Sequence, residues 1–306
     1  MEKMHVLVTG GAGFIGSHSV EAILAAGARV TVLDNLSTGK PANLPEHADL
    51  QLIVGDIRDS AAVDKAMYGI THVLHLAAQV SVPASVADPI GSSQHNIVGF
   101  LNVLDGARRA GVRRMVYASS AAVYGAPEKL PLDESSPVAP LSPYGLEKSI
   151  NDQYAAMYRA LYQTSALGMR YFNVYGPRQD PRSPYAGVIS RFAAAIENGD
   201  TLRVFGDGGQ TRDFIYVKDV AQANLRALQS AAEGVCNIAT GHSVTLLELI
   251  DTLAQCAGRP AQVQHEPPAQ GDIRHSSVTP LRMREVLAAP AKTSLADGLR
   301  ALLAAG

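Results

Sequence analysis

The chain has 306 residues, 47% apolar and 18% charged, which excludes disordered, fibrous and low-complexity classes and suits about two globular domains. Lys plus Arg number 26 against 28 Asp plus Glu, a formal charge of −2 that is too balanced for a nucleic-acid or polybasic membrane surface. Cys236 and Cys256 are too few for a disulfide framework, so a reducing, cytoplasmic location is expected, and no segment offers the roughly 20 apolar residues of a membrane span.

The first half alternates β-branched runs with amphipathic stretches, the pattern of a parallel sheet covered by helices. Strands are predicted at His5–Val8, Arg29–Leu33, Leu50–Val54, His72–Leu76, Arg114–Ser119 and Ala166–Tyr171. Helices are predicted over Phe14–Ala26, Ala61–Tyr68, Ile90–Ala110 and Pro143–Tyr162, each long enough to cross from one parallel strand to the next. After Tyr171 the texture turns to Gly/Pro-punctuated segments such as Gly176-Pro177-Arg178-Gln179-Asp180-Pro181. The expected organisation is a doubly wound domain over 1–172 and a smaller α/β substrate domain over 173–306. Strand-like Asp213–Val217, helix-like Asp219–Ser230 and strand-like Val235–Ala239 make a return of about 213–240 to the first domain the expectation.

The turn Thr9-Gly10-Gly11-Ala12-Gly13-Phe14-Ile15-Gly16 lies between a predicted strand and a predicted helix. In that context Gly10 permits the tight turn, Gly13 lets backbone approach a pyrophosphate at the helix N-terminus, and Gly16 allows close helix–strand packing. Such a turn alone also occurs where no ligand binds. A second element supports the dinucleotide reading: Asp34 ends the next strand, where a carboxylate accepts from an adenosine ribose and repels a 2′-phosphate. No Arg or Lys follows it before Lys40, so NAD is favoured over NADP. Asp56, in Gly55-Asp56-Ile57, suits either the adenine amino group or a helix N-cap.

Two clusters carry the chemistry: Ser119-Ser120-Ala121-Ala122-Val123-Tyr124-Gly125 at a strand end, and Tyr144-Gly145-Leu146-Glu147-Lys148 opening a helix. Ser142 as N-cap and Pro143 as first helical residue put Tyr144 and Lys148 at i and i+4 on one face. An ammonium roughly 4 Å from a phenol favours phenolate by up to about 4 kcal/mol at an effective dielectric of about 20, enough to make tyrosine a general base near neutral pH. Lys148 also suits the nicotinamide ribose, and Ser120 a substrate hydroxyl. By spacing alone the pair reads rather as a solvated Tyr and Lys; the upstream dinucleotide motif reverses that preference. His72 and His75 lie three apart on a strand, on opposite faces, so no metal site is expected.

With these motifs the chain resembles extended short-chain dehydrogenase/reductases, and among them the UDP-galactose 4-epimerase-like enzymes acting on nucleotide sugars. The likeness runs over nearly the whole sequence. It includes Asp34-Asn35-Leu36-Ser37-Thr38-Gly39, Gly55-Asp56-Ile57-Arg58, His75-Leu76-Ala77-Ala78-Gln79, Arg170 through Arg178, Gly206 through Phe214, and Gly271-Asp272-Ile273-Arg274-His275-Ser276. The resemblance implies a Rossmann sheet, NAD as cofactor and a UDP-sugar as substrate. It assigns Ser120, Tyr144 and Lys148 to catalysis. It sets Gly10, Gly13, Phe14, Ile15, Gly16, Asp34, Asn35, Leu36, Ser37, Thr38, Gly39, Asp56, Ile57, Leu76, Ala77, Ala78, Gln79 and Phe172 around the cofactor. It puts Ser81, Asn173, Val188, Phe205, Arg212, Asp272 and Ser276 around the substrate, with Arg212 as pyrophosphate clamp. It also implies a homodimer packed through the helices around Ile90–Ala110 and Pro143–Tyr162.

One departure matters: Ala269 stands where the family usually has a second clamping arginine, which leaves Arg274 either a substitute or an ordinary surface arginine. The leading expectation is 4-epimerisation of a UDP-hexose through a 4-keto sugar. Family 4,6-dehydratases place acidic residues after the active-site Ser/Thr, where Ala121 and Ala122 stand here. A decarboxylase or reductase of the same family and a non-catalytic NAD sensor are the remaining alternatives. In the family the position of Ser276 lines the sugar pocket, and a small residue there leaves room for an N-acetyl group; otherwise it is a solvated serine after a turn.

Overall fold

Short β-branched runs broken by glycine set the layers of the molecule. The structure, a computed structural model, describes residues 3–180, 187–268 and 273–305. Its first half runs β1 (His5–Thr9), α1 (Phe14–Ala25), β2 (Arg29–Asp34), β3 (Leu50–Val54), α2 (Ser60–Ala66), β4 (His72–His75), α3 (Val82–Ala87), α4 (Pro89–Ser93), α5 (Gly99–Arg109), β5 (Arg114–Ser120), α6 (Pro143–Tyr162) and β6 (Ala166–Tyr171). The second half adds β7 (Asn173–Tyr175), α7 (Val188–Asn198), β8 (Leu202–Phe205), β9 (Thr211–Tyr216), α8 (Val217–Gln229), β10 (Gly234–Ile238), β11 (Ser243–Thr245), α9 (Leu246–Ala257), β12 (Val263–Glu266), α10 (Leu281–Glu285) and α11 (Leu295–Leu303).

Seven strands form one sheet in the order β10-β6-β5-β4-β1-β2-β3, every pairing parallel. The chain starts in the middle, winds out to β3, then returns past β1 to β4 and the opposite edge. The order therefore reverses between β1 and β4, which opens a crevice at the C-terminal ends of those strands. Alternate residues of each strand feed opposite layers. Val6 and Val8 pack with Val20, Ile23, Val220 and Leu228 on the α1/α8 side, whereas Leu7 packs with Val63, Phe100 and Val103 on the α2/α5 side.

β10 returns to the central sheet beside β6, and α8 packs on α1. The strand-like stretch at Asp213 does not join that sheet. It lies in β9, which pairs parallel with β7 and antiparallel with β11. β8 and β12 form a parallel pair. Ile189, Phe192, Leu202, Phe214 and Leu249 make the separate core beneath these small sheets. The predicted single helix Ile90–Ala110 is interrupted: α4 ends at Ser93, a π turn covers Gln94–Val98, and α5 begins at Gly99. Among the described residues, no helix is long and apolar enough to cross a membrane.

Candidate active site

The β1–α1 turn is built around missing side chains. Gly10 has φ +69°, and a Cβ there would lie 2.7 Å from the Ala77 nitrogen; a Cβ on Gly16 would lie 2.1 Å from the Gly10 oxygen. No side chain caps the N-terminus of α1 at Gly13, and its first turn carries no acid. An N-terminus of this kind presents free N–H dipoles to an anion. Asp34, at the end of β2, is buried and braced: Oδ2 accepts from the Ala12 N–H at 2.9 Å and Oδ1 from the Leu36 N–H at 2.8 Å. A carboxylate has about four lone-pair sites, so Asp34 keeps capacity for a diol. Leu36 adopts φ +59° to make its contact, a left-handed conformation costly for leucine. Gly39 leaves room for Asp34, since a Cβ would meet both carboxylate oxygens at 2.9 Å. The Ser37 N–H donates to Asn35 Oδ1 at 3.0 Å, and Thr38 completes the loop. These donors, acceptors and gaps fit a dinucleotide.

The helix-cap reading of Asp56 does not hold. The cap of α2 is Asp59, which accepts from the Ala61 N–H at 2.9 Å. Asp56 instead accepts from Asn35 Nδ2 at 2.9 Å and from Arg58 Nε and Nη2 at 3.0 and 2.8 Å. Those Arg58 hydrogen bonds hold its carboxyl far below the usual range. Ile57 beside it is buried against α5. Phe14 and Ile15 open α1 partly buried, and Leu76, Ala77, Ala78 and Gln79 follow β4 at the crevice. Phe172 is packed among Val123, Tyr124 and Leu132.

β5 and α6 bring the chemistry together. Ser142 caps α6 through the Gly145 N–H at 3.1 Å and Pro143 is its first residue. Ser120 Oγ accepts from the Ala122 N–H at 3.1 Å and lies near enough to the Tyr144 phenol to favour its ionisation. Lys148 Nζ donates to the Ala118 carbonyl at 2.9 Å and lies 5.8 Å from the Tyr144 ring centre. Burial holds the Tyr144 phenol above its ordinary value, Ser120 offsetting only part. The backbone carbonyl takes one of the three ammonium donors and leaves two. Burial also pulls Lys148 down to about 8, while Asp152 and Glu147 act in the opposite direction.

Four supporting residues, Asn96, Ser92, Ser93 and Ser85, escaped sequence reasoning. Asn96, in the π turn, accepts from the Gln79 N–H at 2.9 Å and donates to the Gln79 carbonyl at 2.8 Å and to Glu147 Oε2 at 2.6 Å. Ser92 and Ser93 also donate to Glu147, at 2.8 and 3.2 Å. The turn thus ties the loop after β4 to α6, and no spacing announces it. Ser85, on α3, accepts from the Tyr144 N–H at 3.1 Å. Ser81 caps α3 through Ala84 at 3.0 Å.

On the second-half side, Asn173 Nδ2 donates to the Asp213 carbonyl at 2.9 Å, Val188 opens α7, and Phe205 ends β8 with its ring about half exposed. Arg212, on β9, donates from Nη1 to the Thr211 carbonyl at 2.8 Å. Ser276 N–H donates to Thr211 Oγ1 at 3.3 Å and its carbonyl accepts from Ser243 at 2.6 Å. Asp272 and Ala269 lie outside the described residues. Arg274 forks onto Asp207, with both N–O distances 2.7 Å, so it braces the Gly206–Gly209 loop. A cleft of about 880 Å³ lies elsewhere, lined by Leu146, Asp152, Ala156, Arg170 and Val235 among others. It holds none of the predicted site residues.

The model of the NAD dependent epimerase/dehydratase family matches residues 6–239. The chain belongs to this family. A UDP-glucose 4-epimerase of Mycolicibacterium smegmatis is 41% identical over 302 residues, 97% of this chain and 96% of that one. A UDP-N-acetylglucosamine 4-epimerase from Methanobrevibacter ruminantium, solved in complex with UDP-N-acetylmuramic acid, superposes with TM-score 0.96 at 38% identity, covering 100% of this chain and 98% of that one. A UDP-glucose 4-epimerase of Thermus thermophilus, solved with NAD, gives TM-score 0.91 at 40% identity over 99% and 98%. The epimerase/dehydratase match spans the glycine turn, Asp34, Ser120, Tyr144 and Lys148; Arg274 and Ser276 lie beyond it.

Proposed function

We propose that the protein catalyses NAD-dependent 4-epimerisation of a UDP-hexose through a 4-keto sugar. The observation that carries this is the neighbouring hydroxyls of Ser120 and Tyr144, with Lys148 one turn along α6, at the strand ends beside the glycine turn. NAD, when bound, supplies the hydride acceptor for the first half-reaction and the donor for the second, so net redox change is nil. The Ala122 N–H fixes the Ser120 hydroxyl beside Tyr144, where a substrate oxygen can take up its hydrogen bond. Tyr144 takes the C4 hydroxyl proton and returns it once the sugar has turned over. Because burial favours the neutral phenol, proton uptake needs positive charge nearby, and Lys148 is the side chain placed to supply it. Gly13 and the α1 N-terminus receive the cofactor pyrophosphate, Asp34 its adenosine ribose, and Arg212 the substrate diphosphate.

Ala121 and Ala122 form the turn after Ser120, so that turn carries no carboxylate to act at C5 or C6 as a dehydratase requires. Ser276 is small, which supports turnover of UDP-GlcNAc/UDP-GalNAc beside UDP-glucose/UDP-galactose. The Methanobrevibacter relative bears a name of that class. The protein works as a cytoplasmic homodimer; two unpaired cysteines and exposed apolar residues on α6 support this. The test is incubation with both sugar pairs without added cofactor, then separation of epimers. Interconversion is expected, with Tyr144→Phe slower by roughly 10²–10⁴-fold while NAD still binds. Ser276→Tyr should depress turnover of the N-acetylated pair far more than that of the plain hexoses. A deoxy-keto product in place of the epimer would overturn the epimerase reading.

A further inference from the structure

Ser120 sits between two residues tied to one carboxylate, Ser119 directly and Tyr124 through Arg170. Before it, Ser119 Oγ donates to Asp152 Oδ2 at 3.1 Å. After it, in the turn Ala121–Tyr124, the Tyr124 hydroxyl accepts from Arg170 Nη1 at 2.8 Å and donates to Asn237 Oδ1 at 2.7 Å. Arg170 in turn donates from Nε to Asp152 Oδ2 at 3.1 Å. The other oxygen of Asp152 accepts from the Tyr117 hydroxyl at 3.1 Å. The carboxylate thus gathers donors from two positions of β5 and one of β6. β6 makes room for it with Gly168, where a Cβ would lie 2.6 Å from the Tyr117 hydroxyl and 3.0 Å from Asp152 Oδ1. Asp152 belongs to α6, one helical turn after Lys148, so it also faces the base of the lysine that serves the reaction.

We propose that Asp152 is a positioning residue for the epimerisation: it fixes both flanks of Ser120 and supplies negative charge one turn from Lys148. This rests on the epimerase reading above. The charged and titratable groups around it are Arg170 and Tyr124 across β6, Tyr117 on β5, and Lys148 with Glu147 on α6; His75, at the end of β4, faces Lys148. Burial drives the Asp152 carboxyl upward and Arg170 is the largest opposing influence, so removal of either partner leaves the other buried and uncompensated. Of the acids acting on Lys148 against its burial, Asp152 acts most strongly.

The experiment measures NAD affinity by calorimetry and UDP-galactose turnover, both against pH, in Asp152→Asn and in the double variant Tyr117→Phe/Ser119→Ala. Asp152→Asn keeps the shape and removes the charge. Its alkaline loss of NAD affinity should begin about one pH unit lower than in the parent, and kcat should fall by about 100-fold with KM moving less than about twofold. The double variant keeps the Asp152–Arg170 pair and frees the strand end. Its kcat should fall by about tenfold with the alkaline limb unmoved. An Asp152→Asn protein with the parent limb overturns the proposal, as does a double variant with parent kcat; the second outcome decides the matter if Asp152→Asn fails to fold. A parent that binds NAD but turns over no nucleotide sugar refutes the epimerase reading instead, and the NAD limb still judges Asp152.

Discussion

A buried carboxylate that already accepts two backbone N–H groups has a fixed direction, and Asp34 shows what that does for selectivity. Ala12 and Leu36 aim both oxygens, so a ribose diol meets a preformed acceptor and a 2′-phosphate meets like charge. Asp34→Ala is expected to weaken NAD binding by about 10- to 100-fold, the worth of one or two hydrogen bonds to a charged group, and to narrow the gap to NADP; calorimetry with both nucleotides checks it. Lys148 makes a second prediction through its depressed value of about 8. Above pH 8 and below the ordinary lysine range, the unfolded chain binds more protons than the folded one, so folding stability from this group rises with pH. NAD binding should move the other way across the same window, because the ammonium is lost. Denaturant midpoints and NAD affinity between about pH 8 and 9.5 should therefore slope oppositely, and Lys148→Met should abolish the stability slope due to this residue. His75 adds nothing there, since burial keeps it neutral, pulled down to about 3.

Elements decide where those side chains stand. α6 carries Tyr144 and Lys148 in its first two turns, directly after the Ser142 cap and Pro143. Ser142→Ala should lower stability by about 1 kcal/mol, read as a denaturant midpoint. Loosening of that first turn should also cut kcat, and Ser142→Asp should restore both. This start was legible because Ser-Pro before an amphipathic run has one physical meaning, a satisfied N–H and a preset φ. The interruption of Ile90–Ala110 was not. A π turn adds one residue to a helix without changing which residue types surround it, so periodicity shows an unbroken stripe. The extra residue turns Asn96 toward Gln79 and Glu147, and only the tertiary partners reveal it. Asp56 teaches the same lesson: its fork with Arg58 excludes the cap reading, and Asp59 takes that place.

At the scale of the molecule, the central sheet was readable because β1 to β5 carry β-branched or aliphatic runs and helices of crossover length follow β1, β3, β4 and β5. The small sheets were not readable from three- and four-residue strands such as β7, β8 and β11, whose pairing depends on distant partners. Asp213 illustrates the point. Its strand character is real, but its side chain accepts from Thr240 and Gly241 at the end of β10, so it joins the second half to the central sheet without entering that sheet. The outer face of α6 leads to the last prediction. Leu146, Met157 and Leu161 recur along one stripe at helical spacing and are 51%, 44% and 64% exposed; Tyr162 beside them is 51% exposed and braced by Arg108 of α5. A surface of this composition lies opposite the residues that α6 buries against the sheet, and such a stripe suits a two-fold axis on which it would meet its own copy. Leu161→Asp would place two carboxylates near that axis and desolvate both. The parent is expected to sediment at twice the chain mass and the variant at the chain mass, with far-UV circular dichroism unchanged. A parent that sediments as single chains, or a variant that stays paired, rejects α6 as the subunit interface.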